Sequence, residues 1–132
     1  MNKEKIHQVF LDTTFRILST PVIDIKINKT IPKLNHLESW AFLTAWNPLP
    51  VILSEAENKR RNLELEDDIK ALDLKYNLGV GISQDENWKE DSFFIENCTE
   101  EKANELAVKY GQLAYVWGNI NKEASLIYTL KQ

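Results

Sequence analysis

The chain has 132 residues, 43% hydrophobic and 27% charged, a composition that belongs to folded globular proteins and excludes disordered or collagen-like ones. That length fits a single domain, 1–132, with one core. A net charge of −4 and a pI near 5.2 argue against a chain that holds nucleic acid mainly by neutralising phosphates, because that mode needs a basic face.

Lys3, Glu4 and Lys5 open the chain without the long apolar run of a secretion signal, and no stretch approaches the roughly 20 apolar residues that span a bilayer. A cytoplasmic protein with no membrane partner is expected. Ile6, Val9 and Phe10 at helical spacing predict a short amphipathic helix from about Lys3 to Asp12. Phe15 and Ile17 begin a short strand, and Ile23, Ile25 and Ile27 alternate with polar residues as a strand with one wet face. Pro32, Asn35 and His36 mark a connection to a strand from Ser39 to Trp46. Its run Trp40, Ala41, Phe42 and Leu43 suits an interior strand covered on both faces.

Asn47-Pro48-Leu49-Pro50 ends that strand, since proline donates no amide and biases its predecessor toward extended or turn geometry. A helix from Ser54 to Leu72 follows, with Ser54 and Glu57 spaced as a capping box, so Ser54 reads as a cap and not as a nucleophile. The triplet Lys59, Arg60 and Arg61 is followed by Glu64, Glu66, Asp67 and Asp68, a mixed-charge solvated face. From Tyr76 the period returns to two, leaving Gly79 and Gly81 on a nearly bare face that implies a packed helix, a bulge or a ligand close to the backbone. Gln84 to Asn87 reads as a hairpin loop and Trp88 to Asn97 as the returning strand. Thr99 caps a further helix whose buried stripe is Ala103, Leu106, Ala107 and Tyr110, with Gly111 as its stop. Leu113 to Trp117 and Ser125 to Leu130 are two more strands, with Gly118 and Asn119 opening the turn between them. The result is α+β, a mostly antiparallel sheet with about three helices packed against it.

Cys98 alone cannot form an intramolecular disulfide and reads as a buried structural thiol. His7 and His36 have no partners at ligand spacing, so no metal or cofactor is expected. The informative feature is the helix over Ser54 to Leu72. At 100° per residue Ser54, Asn58, Arg61, Leu65, Ile69 and Leu72 share one face, with Asn62 on its flank. The stripe begins polar and ends apolar. Ala56 and Leu63 define a competing buried face for the first turns. If the polar half packs inward, Asn58 and Arg61 need partners, since a buried unsatisfied group costs about 1 to 3 kcal/mol. Glu57, Glu90 and backbone carbonyls near Asn47 could supply them, and so could an anionic ligand at the helix start.

The segments Ala41-Phe42-Leu43-Thr44-Ala45-Trp46-Asn47-Pro48, Leu53-Ser54 and Glu57-Asn58-Lys59-Arg60-Arg61-Asn62 form a distinctive series. With Gly79-Val80-Gly81, Trp88-Lys89-Glu90-Asp91-Ser92-Phe93 and Tyr110-Gly111-Gln112-Leu113-Ala114-Tyr115-Val116-Trp117, they resemble the bacterial family catalogued as domain of unknown function 3293. Where that family usually has a serine shortly after Trp-Asn-Pro, this chain has Leu49-Pro50. The resemblance implies a small stand-alone bacterial domain, carries no activity, and selects Asn47, Asn58, Arg61, Asn62, Trp88, Glu90 and Gln112 as the polar and aromatic positions of a shared site.

These readings lead to a binding domain in which Asn47, Asn58, Arg61 and Asn62 line a polar pocket, Glu90 orients Arg61 and Trp88 forms a wall. The ligand expected is small and anionic or nucleotide-like. One alternative is a protein-interaction domain of the antitoxin, immunity or phage-defence type, with a protein partner. A second is a metal-independent enzyme with Glu90 as general acid or base and Arg61 stabilising negative charge.

Overall fold

The computed structural model describes residues 2–48 and 51–129. Among the described residues seven strands form one sheet, β1 (Thr14–Ile17), β2 (Ile23–Ile25), β3 (Ser39–Leu43), β4 (Tyr76–Ile82), β5 (Lys89–Glu96), β6 (Ala114–Asn119) and β7 (Ser125–Tyr128). Their order is β2-β1-β4-β5-β3-β6-β7 and every pairing is antiparallel. Three α-helices accompany them, α1 (Lys3–Asp12), α2 (Glu55–Ala71) and α3 (Glu100–Lys109), with a 3-10 turn at Pro32–Leu34. The α+β architecture is the expected one. The sheet curls into a half-barrel.

Each face of the sheet has its own core, because the period of two sends neighbouring side chains to opposite sides. Ala41, Leu43, Phe93, Ile95 and Tyr115 face α2 and α3, meeting Leu65 and Ile69 of one helix and Ala103, Leu106 and Ala107 of the other. Trp40, Phe42, Phe94 and Val116 face the opposite way, with Phe15, Ile17, Ile25 and Ile27 and with Leu34 and Leu37 of the connection. That second face is the inner one, for α1 lies across it. The alternation in Trp40 to Leu43 thus serves two cores, as an unbroken apolar run in an interior strand requires.

The strand predicted over Ser39 to Trp46 stops at Leu43, its last paired residue, because side chains of α2 take over the backbone beyond it. Gly118 and Asn119, expected to open a turn, remain in β6, and the turn follows with Asn121 at positive φ. Leu130 and the Leu49-Pro50 pair lie outside the described residues.

Gly79 and Gly118 have packing reasons. A Cβ on Gly79 would sit 2.7 Å from the Phe42 ring, and one on Gly118 would sit 2.3 Å from the Trp40 indole. Gly81 differs, for a Cβ there meets nothing closer than Thr13 Cγ2 at 3.9 Å. Gly79→Ala and Gly118→Ala should each lower unfolding free energy by about 1 to 3 kcal/mol in urea denaturation, the cost of overpacking a fixed ring. Gly81→Ala should leave it unchanged or raise it by up to about 1 kcal/mol.

Candidate functional site

Ser54 caps α2, its Oγ accepting from the Glu57 amide at 3.2 Å, while the Glu57 carboxylate pairs with Arg60 instead of reaching back to the cap. The buried side of α2 is Asn58, Asn62, Leu65 and Ile69, and Leu63 is 63% exposed, so the polar-to-apolar stripe faces inward. Its polar half grips the chain that leaves β3. Asn58 Oδ1 accepts from the Asn47 amide at 2.7 Å and its Nδ2 donates to Asn47 Oδ1 at 2.8 Å. Asn62 Oδ1 accepts from the Ala45 amide at 2.9 Å and its Nδ2 donates to the Asp91 carbonyl at 2.8 Å. Arg61 Nε donates to the Ala45 carbonyl at 2.8 Å, and a terminal nitrogen donates to the Tyr110 carbonyl.

Arg61 therefore bonds backbone carbonyls, and neither Glu57 nor Glu90 is its partner. No fully buried side-chain nitrogen or oxygen among the described residues lacks a hydrogen bond. The three residues of α2 replace the β-ladder that stops at Leu43, holding Thr44 to Asn47 in an irregular path with Asn47 at φ +45°, a conformation asparagine tolerates.

Asn47 also borders a cavity of about 270 Å³ on the inner face of the sheet. Phe15 of β1 and Leu126 of β7 both line it, although these strands lie near opposite ends of the sheet order, so the curl closes around it. Its floor follows from register. Phe15 lies opposite Gly81, and Gly81 lies opposite Glu90, so the three share one face in neighbouring strands. Because Gly81 has no side chain, the space between the Phe15 ring and the Glu90 carboxyl stays open. Ile6, Val9 and Phe10 of α1 form the roof. That helix buries none of its residues and is held at β7 by Phe10 edge-on to Tyr128 and by His7 Nδ1 2.7 Å from the Tyr128 hydroxyl.

The lining is mostly apolar, with a polar end of Thr13, Thr44, Asn47, Ser83, Glu90, Ser92 and Gln112. Glu90 Oε2 accepts from Trp88 Nε1 at 3.0 Å, and Oε1 has no partner among the described residues. Burial pushes the Glu90 carboxyl above the usual carboxylate range, and the indole N–H offsets part of that rise. Asn47 is 5% exposed, and its Nδ2 makes no hydrogen bond to a described residue, since Oδ1 serves both Asn58 and the Leu53 amide. Gln112 Nε2 donates to the Trp46 carbonyl at 3.2 Å, and its Oε1 has no partner among the described residues.

The seven positions read from the sequence thus fall into two groups that meet at Asn47. Asn58, Arg61 and Asn62 form the clamp and do not line the cavity. Trp88, Glu90 and Gln112 line it, as Asn47 does. The apolar members, Phe15, Phe42 and the α1 residues, escaped the sequence reading because apolar side chains look alike whether they fill a core or border a space. The bare Gly81 position was the available signal. Cys98 is buried, its thiol pushed up to about 11 chiefly by burial. Among the described residues no group of three or more His, Cys, Asp or Glu is arranged to hold a metal, and no helix is long and apolar enough to cross a membrane.

Fold and site together define a small α+β domain with a helix-roofed cavity on the inner face of a curled sheet. The chain belongs to the family described as Protein of unknown function (DUF3293), whose model matches residues 43–115. No curated protein and no solved structure is significantly similar to it. The matched span holds the whole clamp together with Gly81, Trp88, Glu90 and Gln112, and leaves α1, Phe15 and Leu126 outside.

Two outcomes follow. Asn58→Ala and Asn62→Ala each remove the acceptor of a backbone amide in the buried Ala45 to Asn47 segment, and each should lower unfolding free energy by about 1 to 3 kcal/mol in urea. For Glu90, the folded state holds the proton more tightly than the unfolded chain does. Its stabilising contribution is fully present below the unfolded carboxylate value of about 4 and is lost as pH rises through the raised folded value. The stability of Glu90→Gln relative to wild type should therefore increase between pH 4 and pH 7.5, as measured by denaturation at both. A constant difference would mean that the carboxyl is not buried.

Proposed function

We propose that this domain binds a small, largely apolar molecule in the cavity between α1 and the sheet, with the ligand's polar group at Glu90. The observation that carries this reading is a carboxyl group set in a mostly apolar cavity with the Trp88 indole as its one hydrogen-bond partner among the described residues. A half-buried carboxyl with so little internal support costs stability, and groups kept at such a cost concentrate at functional sites. The cavity lies just below the usual 300 to 1,000 Å³ range of ligand pockets, which suits a ligand of one or two rings.

An anionic or nucleotide-like ligand is disfavoured, because Arg61, Asn58 and Asn62 are committed to backbone groups and the ionisable group at the polar end is acidic. A protein partner that seats an apolar side chain is the second reading, favoured by the exposed Val51, Ile52 and Trp88 that border the same cavity. The free buried thiol favours a reducing compartment such as the cytoplasm.

An amide-resolved NMR titration with indole tests the reading. Saturable shifts are expected at Gly81, Ser92 and Ala114 in the wild type. They should be absent in Gly81→Leu, whose side chain fills the floor of the cavity. A wild type without saturable shifts at these amides would overturn it.

A further inference from the structure

Resting on that reading, we infer that the ligand's polar group is an organic ammonium, so that the cavity is a site for a small aromatic or alkyl amine paired with Glu90 and enclosed by aromatic rings. Five aromatic residues line the space, Phe10 from α1, Phe15 from β1, Phe42 from β3, Trp88 at the start of the β5 hairpin arm and Tyr115 from β6. Phe15 and Phe42 meet edge to face with centroids 5.4 Å apart, so their ring surfaces are fixed. A cation over such faces is attracted by the ring quadrupole, more strongly when it has left water.

The one charged side chain of the lining among the described residues is Glu90, and the nearby Lys26 ammonium is bonded to the Thr13 carbonyl at 3.0 Å. No Lys, Arg or His among the described residues lines the cavity, so a bound cation meets no like charge there. Among the described residues Glu90 is the one carboxylate of the lining, and the other lining residues are neutral, among them Gly81 of β4 with Ser83 just after it, Ser92 of β5, Trp88 just before it, and Phe10, Val9 and Ile6 of α1 with Thr13 at its C-cap. The arginines of α2 point elsewhere, Arg61 to the carbonyls of Ala45 and Tyr110 and Arg60 to Glu57 and Glu64.

The hydrogen-bonding inventory agrees. Trp88 Nε1 fixes Oε2 of Glu90 and leaves Oε1 as an acceptor, and Gln112 Oε1 is a second acceptor without a partner among the described residues. An ammonium offers up to three donors. A carboxylate ligand would instead face Glu90 with like charge, and a neutral alcohol would gain one hydrogen bond without the ionic part.

Three probes of one shape separate these cases in the wild-type chain at pH 7.5, benzylamine as cation, benzyl alcohol as neutral and benzoate as anion, each titrated by amide-resolved NMR. Benzylamine is expected to bind at least about tenfold more tightly than benzyl alcohol, the increment of a charge-assisted hydrogen bond, with benzoate weakest. In Glu90→Gln that preference should fall to about twofold or less. In the wild type it should also shrink as pH is lowered toward 4.

Equal binding of amine and alcohol in the wild type, or an amine preference that survives Glu90→Gln, would overturn the ammonium assignment and leave the cavity reading standing. Binding of none of the three would overturn both. A lysine side chain of a protein partner offers the same ammonium. Nα-acetyl-lysine methylamide in the same titration distinguishes the sources, and its binding more tightly than benzylamine would overturn the small-amine assignment.

Discussion

The bonds from Asn58 and Asn62 to the backbone of Ala45 and Asn47 are the constraint on which the rest of the molecule depends. β3 cannot continue past Leu43, because the chain must leave the sheet to reach α2 on its outer face. The peptide groups of Thr44 to Asn47 lose their strand partners within a buried region, where each unpaired amide is costly. An apolar first half of α2 would leave them orphaned. Two carboxamides one turn apart, each offering an acceptor and a donor, meet the need. Arg61 adds carbonyl contacts between them, and the Tyr110 carbonyl ties the end of α3 into the same knot.

The clamp has a consequence on the other side of the sheet. By fixing Asn47 in a left-handed conformation it turns that residue toward the inner face while its Oδ1 remains tied to Leu53 and Asn58. Gln112, bonded to the Trp46 carbonyl, is held in the same neighbourhood. The polar end of the cavity is thus built on the edge of a rigid structural network, a favourable arrangement for a binding group whose rotamer must be set before the ligand arrives. The roof contrasts with this. α1 is a single short helix with no fully buried residue, which packs Phe10 and Leu11 against the inner core and touches Tyr128.

Much of the fold was legible in the sequence, for physical reasons that differ by element. The alternation of Ile23, Ile25 and Ile27, the unbroken run Trp40 to Leu43, and the caps Ser54 and Thr99 are local signals that need no knowledge of the rest of the chain. The stripe of α2 was legible too, as a face that starts polar and ends apolar. The partners of Arg61 were legible only in part, since backbone carbonyls near Asn47 stood among several candidates and the Tyr110 carbonyl did not. A guanidinium satisfied by carbonyls from residues 16 and 49 positions away leaves no trace in side-chain pairing, because every residue has a carbonyl.

The sequence by itself determined the elements, the inward face of α2 as one of two options, and the positions Asn47, Trp88, Glu90 and Gln112 as members of a set. Only the tertiary structure decided between the two faces of α2, since that depends on which peptide groups α2 meets, and separated clamp from cavity. It also made Gly81 a void instead of a packing contact. In β4 Gly79 and Gly81 carry the same local signal, yet Phe42 presses on one and leaves the other open. The difference lies in where one ring from another strand happens to end, and strand register across a sheet is a non-local property.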